Sequence, residues 1–288
     1  MQKIDGTKIS SDVRAELKEK VSVLKKKGIE PGLATILVGS DPASQVYVNS
    51  KIKACEALDI KSFHHQLPSS ANEKEIINLI NKLNNDSKVS GILLQLPLPQ
   101  GLNANKCVNA ISHEKDVDGL TAYNLGKLFS IKSWDEVEKN RLFVPCTPLG
   151  VIYLLKKTKI EMSGKNAVVI GRSNLVGKPI AMLLLSNDAS VTMVHSKTKN
   201  IANICKQADI IVAAIGKEKF VNKDFVKQGA AIIDVGINRT DAGLCGDVDA
   251  DSVRDVAGYL SPVPKGVGPM TITMLMHNTI LASESIKK

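Results

Sequence analysis

The sequence predicts an α/β fold of two αβ domains, the second a doubly wound parallel sheet, with an active-site cleft between them. Three observations carry this. Residues 166–179, NAVVIGRSNLVGKP, read as an apolar strand that enters a glycine-bracketed turn and leaves it as a helix. Apolar runs recur at 190–195, 209–215 and 230–235, each separated by a segment long enough to cross back over a sheet. The N-terminal third has an αβ alternation of its own. A chain of 288 residues with 43% hydrophobic side chains suffices for two buried cores.

In chain order, the first helix is expected over 11–27, where Val13, Leu17, Val21 and Leu24 follow helical spacing and Gly28 ends it. A strand follows at 33–38. The Asp41-Pro42-Ala43-Ser44 turn opens a helix to about Leu58, a strand spans 60–67, and Asn72 with Glu75 forms a capping-box start for the next helix. Residues 91–96 make another buried strand. Residues 130–141 hold charged and polar side chains and the only tryptophan, and read as a surface excursion with Trp134 as a local packing anchor. Thr147 suits an N-cap and Pro148 a first helical position, which is a sufficient reading of Cys146 beside them. A last helix opens near Pro269 and is expected to pack on the first domain. The expected domains are 1–120 with the C-terminal helix 269–288, and 145–265.

The glycine-bracketed turn suits a dinucleotide. Gly171 lets backbone N–H groups approach phosphate, and the helix starting near Lys178 or Pro179 offers N-terminal donors and the positive end of its dipole. The strands after it are nearly all apolar, as expected of strands covered on both faces, and Gly216 and Gly236 fall at carboxyl ends where ligands collect in a Rossmann-type sheet. An NAD site would place Asp or Glu at the tip of the second strand. Here the tip reads His195-Ser196-Lys197-Thr198-Lys199, with Arg172 available from the turn. Cationic and hydroxyl groups suit a 2′-phosphate, so the expected cofactor is NADP; a solvated basic loop is the plainer alternative. His195 is placed either against that phosphate or packed at the strand end.

Five cysteines stand singly without a CxxC pair, which points to reduced thiols in a cytoplasmic compartment and away from a zinc cluster; the histidines show no metal spacing either. No metal is expected. The N-terminus lacks an apolar signal core and no apolar run approaches the length of a membrane span. The net charge of +9 raises the question of nucleic acid, yet Lys18, Lys20, Lys25, Lys26, Lys27, Lys74 and Lys82 are dispersed over helix faces and aromatic residues are only 3%. No nucleic-acid or membrane partner is expected. The positive field suits a polyanionic small substrate and cofactor.

In the helix SQVYVNSKIKACEAL, Tyr47 and Lys51 lie four apart and project from one face, where they can flank one ligand or form a solvated surface. Gln95 at a strand end and the turn Lys115-Asp116-Val117-Asp118-Gly119 supply an amide and carboxylates that could converge with them.

Taken together, VGSDPASQVYVNSKIKACE, GILLQLPLP, KDVDG, VPCTPLG, VVIGRSNLVGKP, VTMVHSKT, ADIIVAAIG, IIDVGIN, GDVD and PVPKGVGPMT closely resemble the bifunctional methylenetetrahydrofolate dehydrogenase/methenyltetrahydrofolate cyclohydrolases. The resemblance covers almost the whole chain. It implies that Lys51 is the catalytic lysine, that Tyr47 stacks on the folate ring system, that Gln95 tunes Lys51 and that Asp118 holds the pterin edge. It implies NADP contacts from Gly171, Arg172, Ser173, Ser196 and Ile237, folate contacts from the loop between Pro264 and Gly268, and a homodimer formed through the nucleotide domains. A lysine with a lowered pKa would supply a neutral amine either to accept a proton or to polarise and orient water through Gln95, while the oxidation needs only a well-placed hydride acceptor. Lys265 stands where the family usually has a second glycine, so the shape of that loop is open; Ser261 for Thr, His113 for Pro and a longer 120–144 connection touch no assigned residue. A shikimate-dehydrogenase-like oxidoreductase and a non-catalytic basic binding module remain as alternatives.

Overall fold

The computed structural model describes residues 1–241 and 243–285, so the last residues of the expected helix 269–288 lie outside them. The chain opens with β1 (Gln2–Lys3), α1 (Gly6–Lys26), β2 (Gly32–Val38), α2 (Pro42–Ala57), β3 (Lys61–Leu67), α3 (Glu73–Asn84) and β4 (Gly91–Leu94). Helices α4 (Ala104–Val108), α5 (Ala122–Ser130), α6 (Trp134–Lys139) and α7 (Cys146–Lys157) lead to β5 (Asn166–Ile170). There follow α8 (Gly177–Ser186), β6 (Ser190–Val194), α9 (Ile201–Cys205), β7 (Ile210–Ala213), β8 (Ala231–Asp234), the hairpin β9 (Asn238–Thr240) and β10 (Gly243–Cys245), β11 (Tyr259–Leu260) and α10 (Val267–Ser285). None of the described helices is long and apolar enough to cross a membrane.

Two compact units result. One comprises Asp12–Lys127, Arg141–Cys146 and the chain from Ile272 onward. Its three-stranded parallel sheet has the order β3-β2-β4, and Ile92 bridges to Asp116 beyond β4. The central strand β2 is buried at all seven positions, as parallel strands covered on both faces should be, while edge strand β3 (KSFHHQL) alternates toward solvent. Ile36, Ile76, Ile80 and Ile92 lie at its core. The first helix begins earlier than its sequence suggests because Asp5, not Ser11, accepts the N-terminal Lys8 N–H at 3.0 Å, and Ser10 folds its hydroxyl back onto Thr7 O at 2.9 Å. The capping box of α3 forms in full.

The other unit comprises Met1–Ser11, Leu128–Asn140 and Thr147–Thr271. Its six strands run in the order β1-β11-β8-β7-β5-β6, every neighbouring pair parallel. This is the expected doubly wound sheet. From β5 the chain steps to β6 on one side and to β7 on the other, which makes the carboxyl edge of β5 and β7 the switch point where such sheets bind ligands. Residues 130–141 carry α6, and Trp134 packs there as an anchor: its ring meets Tyr153 edge-on at 6.5 Å and lies under the Lys156 ammonium at 3.7 Å.

Candidate active site

Within the unit built on β2, β3 and β4, helix α2 is fixed at its start by Asp41, whose carboxylate accepts the Ser44 N–H at 2.8 Å, with Pro42 in the first turn. This sets the face that bears Tyr47 and Lys51. Lys51 Nζ donates to Gln95 Oε1 at 2.7 Å, and Gln95 Nε2 donates to the Leu96 carbonyl at 2.6 Å, so the amide oxygen is held toward the lysine. Gln95 sits where β4 ends, its own N–H still paired with Ile36 O. Burial pulls the Lys51 ammonium below the ordinary lysine value, and the Asp118 carboxylate works against that shift. Burial likewise pushes the Asp118 carboxyl up, with Lys51 pulling it back. Tyr47 is 41% exposed, leaving its ring open to a ligand.

The two carboxylates of the KDVDG turn have separate duties. Asp116 is 1% exposed and accepts from the N–H groups of Leu120 and Thr121 and from the Asn124 amide, so it holds the turn. Asp118 is the one near Lys51. Two further residues shape this centre that the sequence alone did not point to. The Cys146 thiol is buried and donates to Val117 O at 3.3 Å; burial first, then Asp118, pushes its pKa well up. Asn278 of α10 donates to Val117 O and Val144 O at 2.9 and 3.0 Å, tying the turn to the segment before α7. Helix α7 itself starts at Cys146, one residue ahead of the expected cap.

In the other unit, Gly171, Arg172 and Ser173 follow β5, Ser196 follows β6 and Ile237 follows β8, all at carboxyl ends of the parallel sheet. Gly171 has φ of 125°, and a Cβ there would overlap the Ala214 carbonyl; one at Gly177 would overlap Gly171 O. The turn therefore lies close against the switch point. Ser173 Oγ accepts the Val176 and Gly177 N–H groups at 3.2 and 3.3 Å, capping α8. Arg172 and Ser196 are exposed, and Ile237 is 45% exposed. His195 turns inward on its own loop, its Nδ1 accepting the Lys197 N–H at 3.2 Å.

Pro264 and Gly268 belong to this same unit, on the loop and first turn of α10. Lys265 between them has φ of 82°, the left-handed region that favours glycine. The lysine thus keeps the backbone shape that a glycine would give.

Residues 4–118 match the catalytic domain, and residues 145–287 the NAD(P)-binding domain, of tetrahydrofolate dehydrogenase/cyclohydrolase. A curated relative from Campylobacter curvus, bifunctional protein FolD, is 53% identical over 100% of this chain and 98% of its own. The crystal structure of the bifunctional FolD dehydrogenase/cyclohydrolase from Campylobacter jejuni superposes with a TM-score of 0.94 at 46% identity, covering 99% of both chains. That of the Trypanosoma brucei dehydrogenase-cyclohydrolase complexed with NADP and an inhibitor gives 0.89 at 37% identity, covering 97% of this chain and 96% of that one.

Proposed function

The chain belongs to the tetrahydrofolate dehydrogenase/cyclohydrolase family, and we propose that Lys51, held by Gln95 and faced by Asp118, is the chemical centre of its hydrolytic activity. The enzyme is bifunctional. It oxidises 5,10-methylenetetrahydrofolate to the 5,10-methenyl form with NADP and hydrolyses that product to 10-formyltetrahydrofolate.

The observation that carries the assignment is the 2.7 Å bond from Lys51 Nζ to the oriented Gln95 amide. A desolvated amine accepts a proton from the water that attacks the methenyl carbon. The carbon then loses its bond to the nitrogen at position 5, the formyl group stays on position 10, and one proton is released overall. Tyr47 offers an aromatic face for the pterin, and Asp118 a carboxylate for its amino edge; both are folate-binding residues in this proposal. Pro264 and Gly268 contribute folate contacts from their loop. The first 120 residues with the last helix would present folate, and residues 145–265 would hold NADP.

The turn after β5 fits a dinucleotide phosphate. Gly171 lets the turn close against the Ala214 carbonyl at the switch point, Arg172 and Ser196 offer a cation and a hydroxyl, and residues 195–199 bring no carboxylate. Gly171, Arg172 and Ser173 would hold phosphate, Arg172 and Ser196 the 2′-phosphate, and Ile237 the nicotinamide side. When bound, NADP supplies the hydride acceptor; the chain supplies orientation. Dispersed lysines and sparse aromatics argue against a nucleic-acid partner. We also assign a cytoplasmic location and a homodimer through the nucleotide units, the latter testable by light scattering.

Methenyl formation followed by absorbance with NADP and with NAD tests the cofactor. Arg172→Ala is expected to weaken NADP more than NAD, by the roughly 1.5–3 kcal/mol of a charge-assisted hydrogen bond. Equal losses for both nucleotides would reject the 2′-phosphate contact.

A further inference from the structure

Two buried carboxylates in the nucleotide unit are used by nothing described so far. Asp247 is 0% exposed and Asp234 3%. Asp247 Oδ2 accepts the N–H groups of Ile215 and Gly216 at 2.7 and 3.0 Å; its Oδ1 accepts the Lys217 N–H at 2.7 Å and the Asn238 amide at 3.1 Å. One side chain thereby ties the loop after β7 to the loop after β8. Asp234, at the end of β8, in turn accepts the N–H groups of Gly236, Asp247 and Val248 at 3.2, 2.9 and 3.0 Å, which fixes the residue that makes the tie. The fit leaves no slack, because a Cβ at Gly236 would overlap the Asp247 carboxylate and one at Gly246 the Asp234 carboxylate.

Their place in the sheet says what this serves. In a doubly wound sheet the pyrophosphate lies at the first turn, here after β5, and the adenosine side follows the next strand, here β6. The other half of the dinucleotide must then extend across the carboxyl ends of β7 and β8. Residues 215–217 and 236–238 are the backbone at those ends, and Ile237 projects from the second of them. Backing Asp247 with a second buried carboxyl is costly: burial pushes the Asp234 carboxyl up to about 7 despite three N–H donors. Hydrophobic packing would close the same space at lower cost; what it would not do is fix six backbone N–H groups and one amide in register.

We propose that Asp247 is a positioning residue for the dehydrogenase reaction, clamping the β7 and β8 loops into the shape that receives the nicotinamide half of NADP. It touches neither substrate nor cofactor. The proposal rests on the NADP reading above, and the two can fail separately, because hydrolysis of the methenyl substrate consumes no nucleotide. In Asp247→Asn the carboxamide NH2 faces N–H donors and leaves at least one of them without an acceptor.

The test compares dehydrogenase kcat and KM for NADP with methenyl hydrolysis measured in the absence of nucleotide, for wild type and Asp247→Asn. The expected result is a fall of about tenfold or more in dehydrogenase kcat/KM for NADP, with hydrolysis held within about twofold. Parallel loss of both activities, or loss of neither, overturns the proposal. Should Asp247→Asn not fold, Asn238→Ala decides, since it severs only the tie to the β8 loop: a smaller but still dehydrogenase-selective loss supports the clamp, and an unselective loss or none overturns it. Absence of NADP-dependent turnover in the wild type would instead strike the cofactor assignment.

Discussion

Lys265 shows how one side chain can be accommodated where the backbone prefers none. Its φ of 82° costs about 1–2 kcal/mol for an L-residue with a Cβ, and its side chain is exposed. Lys265→Gly relieves that strain but loosens the unfolded chain by roughly 0.4–1 kcal/mol. A net gain of roughly 0.5–1 kcal/mol is expected, read as a higher urea midpoint at unchanged slope; a lower midpoint would mean that the lysine makes stabilising contacts of its own. At the same scale, the common helix face of Tyr47 and Lys51 was legible because four-residue spacing fixes it once the helix forms. Cys146 was not. Its thiol meets Val117 O and Asp118 across a sequence gap that only the fold closes, and its local sequence reads completely as a helix start. The split of labour between Asp116 and Asp118 was hidden for the same reason: it depends on Asn124 and Lys51, which the turn itself does not name.

At the scale of elements, boundaries followed local chemistry where it was unambiguous. Asn72 and Glu75 exchange both bonds of their capping box, at 3.1 and 2.8 Å, ahead of a helix that buries Ile76, Ile80 and Leu83. Asn72→Ala is expected to cost about 1 kcal/mol of stability and to leave both activities unchanged, since the cap touches no site residue. Chemical denaturation paired with the two assays checks this; a loss of activity at full folding would tie α3 to the site. The start of α1 was less legible because Ser10 and Ser11 offer cap-like side chains, and the true cap, Asp5, is selected by tertiary context that also buries Ile4. The parallel strands were read easily: continuous apolar runs ending in glycine admit few other arrangements.

At the scale of the molecule, the net charge of +9 suits two polyanionic ligands. Each reaction draws on its own set of side chains. In the proposed reading, hydrolysis draws on Lys51, Gln95 and Asp118 within one unit, and the oxidation adds the turn after β5 and the loops after β6, β7 and β8 in the other. The central claim concerns the first set and is tested by hydrolysis of 5,10-methenyltetrahydrofolate by Lys51→Ala in the absence of nucleotide, with circular dichroism confirming the fold. Removal of a general base predicts a rate lower by about 10²–10⁴-fold; hydrolysis at the wild-type rate would contradict the assignment of Lys51.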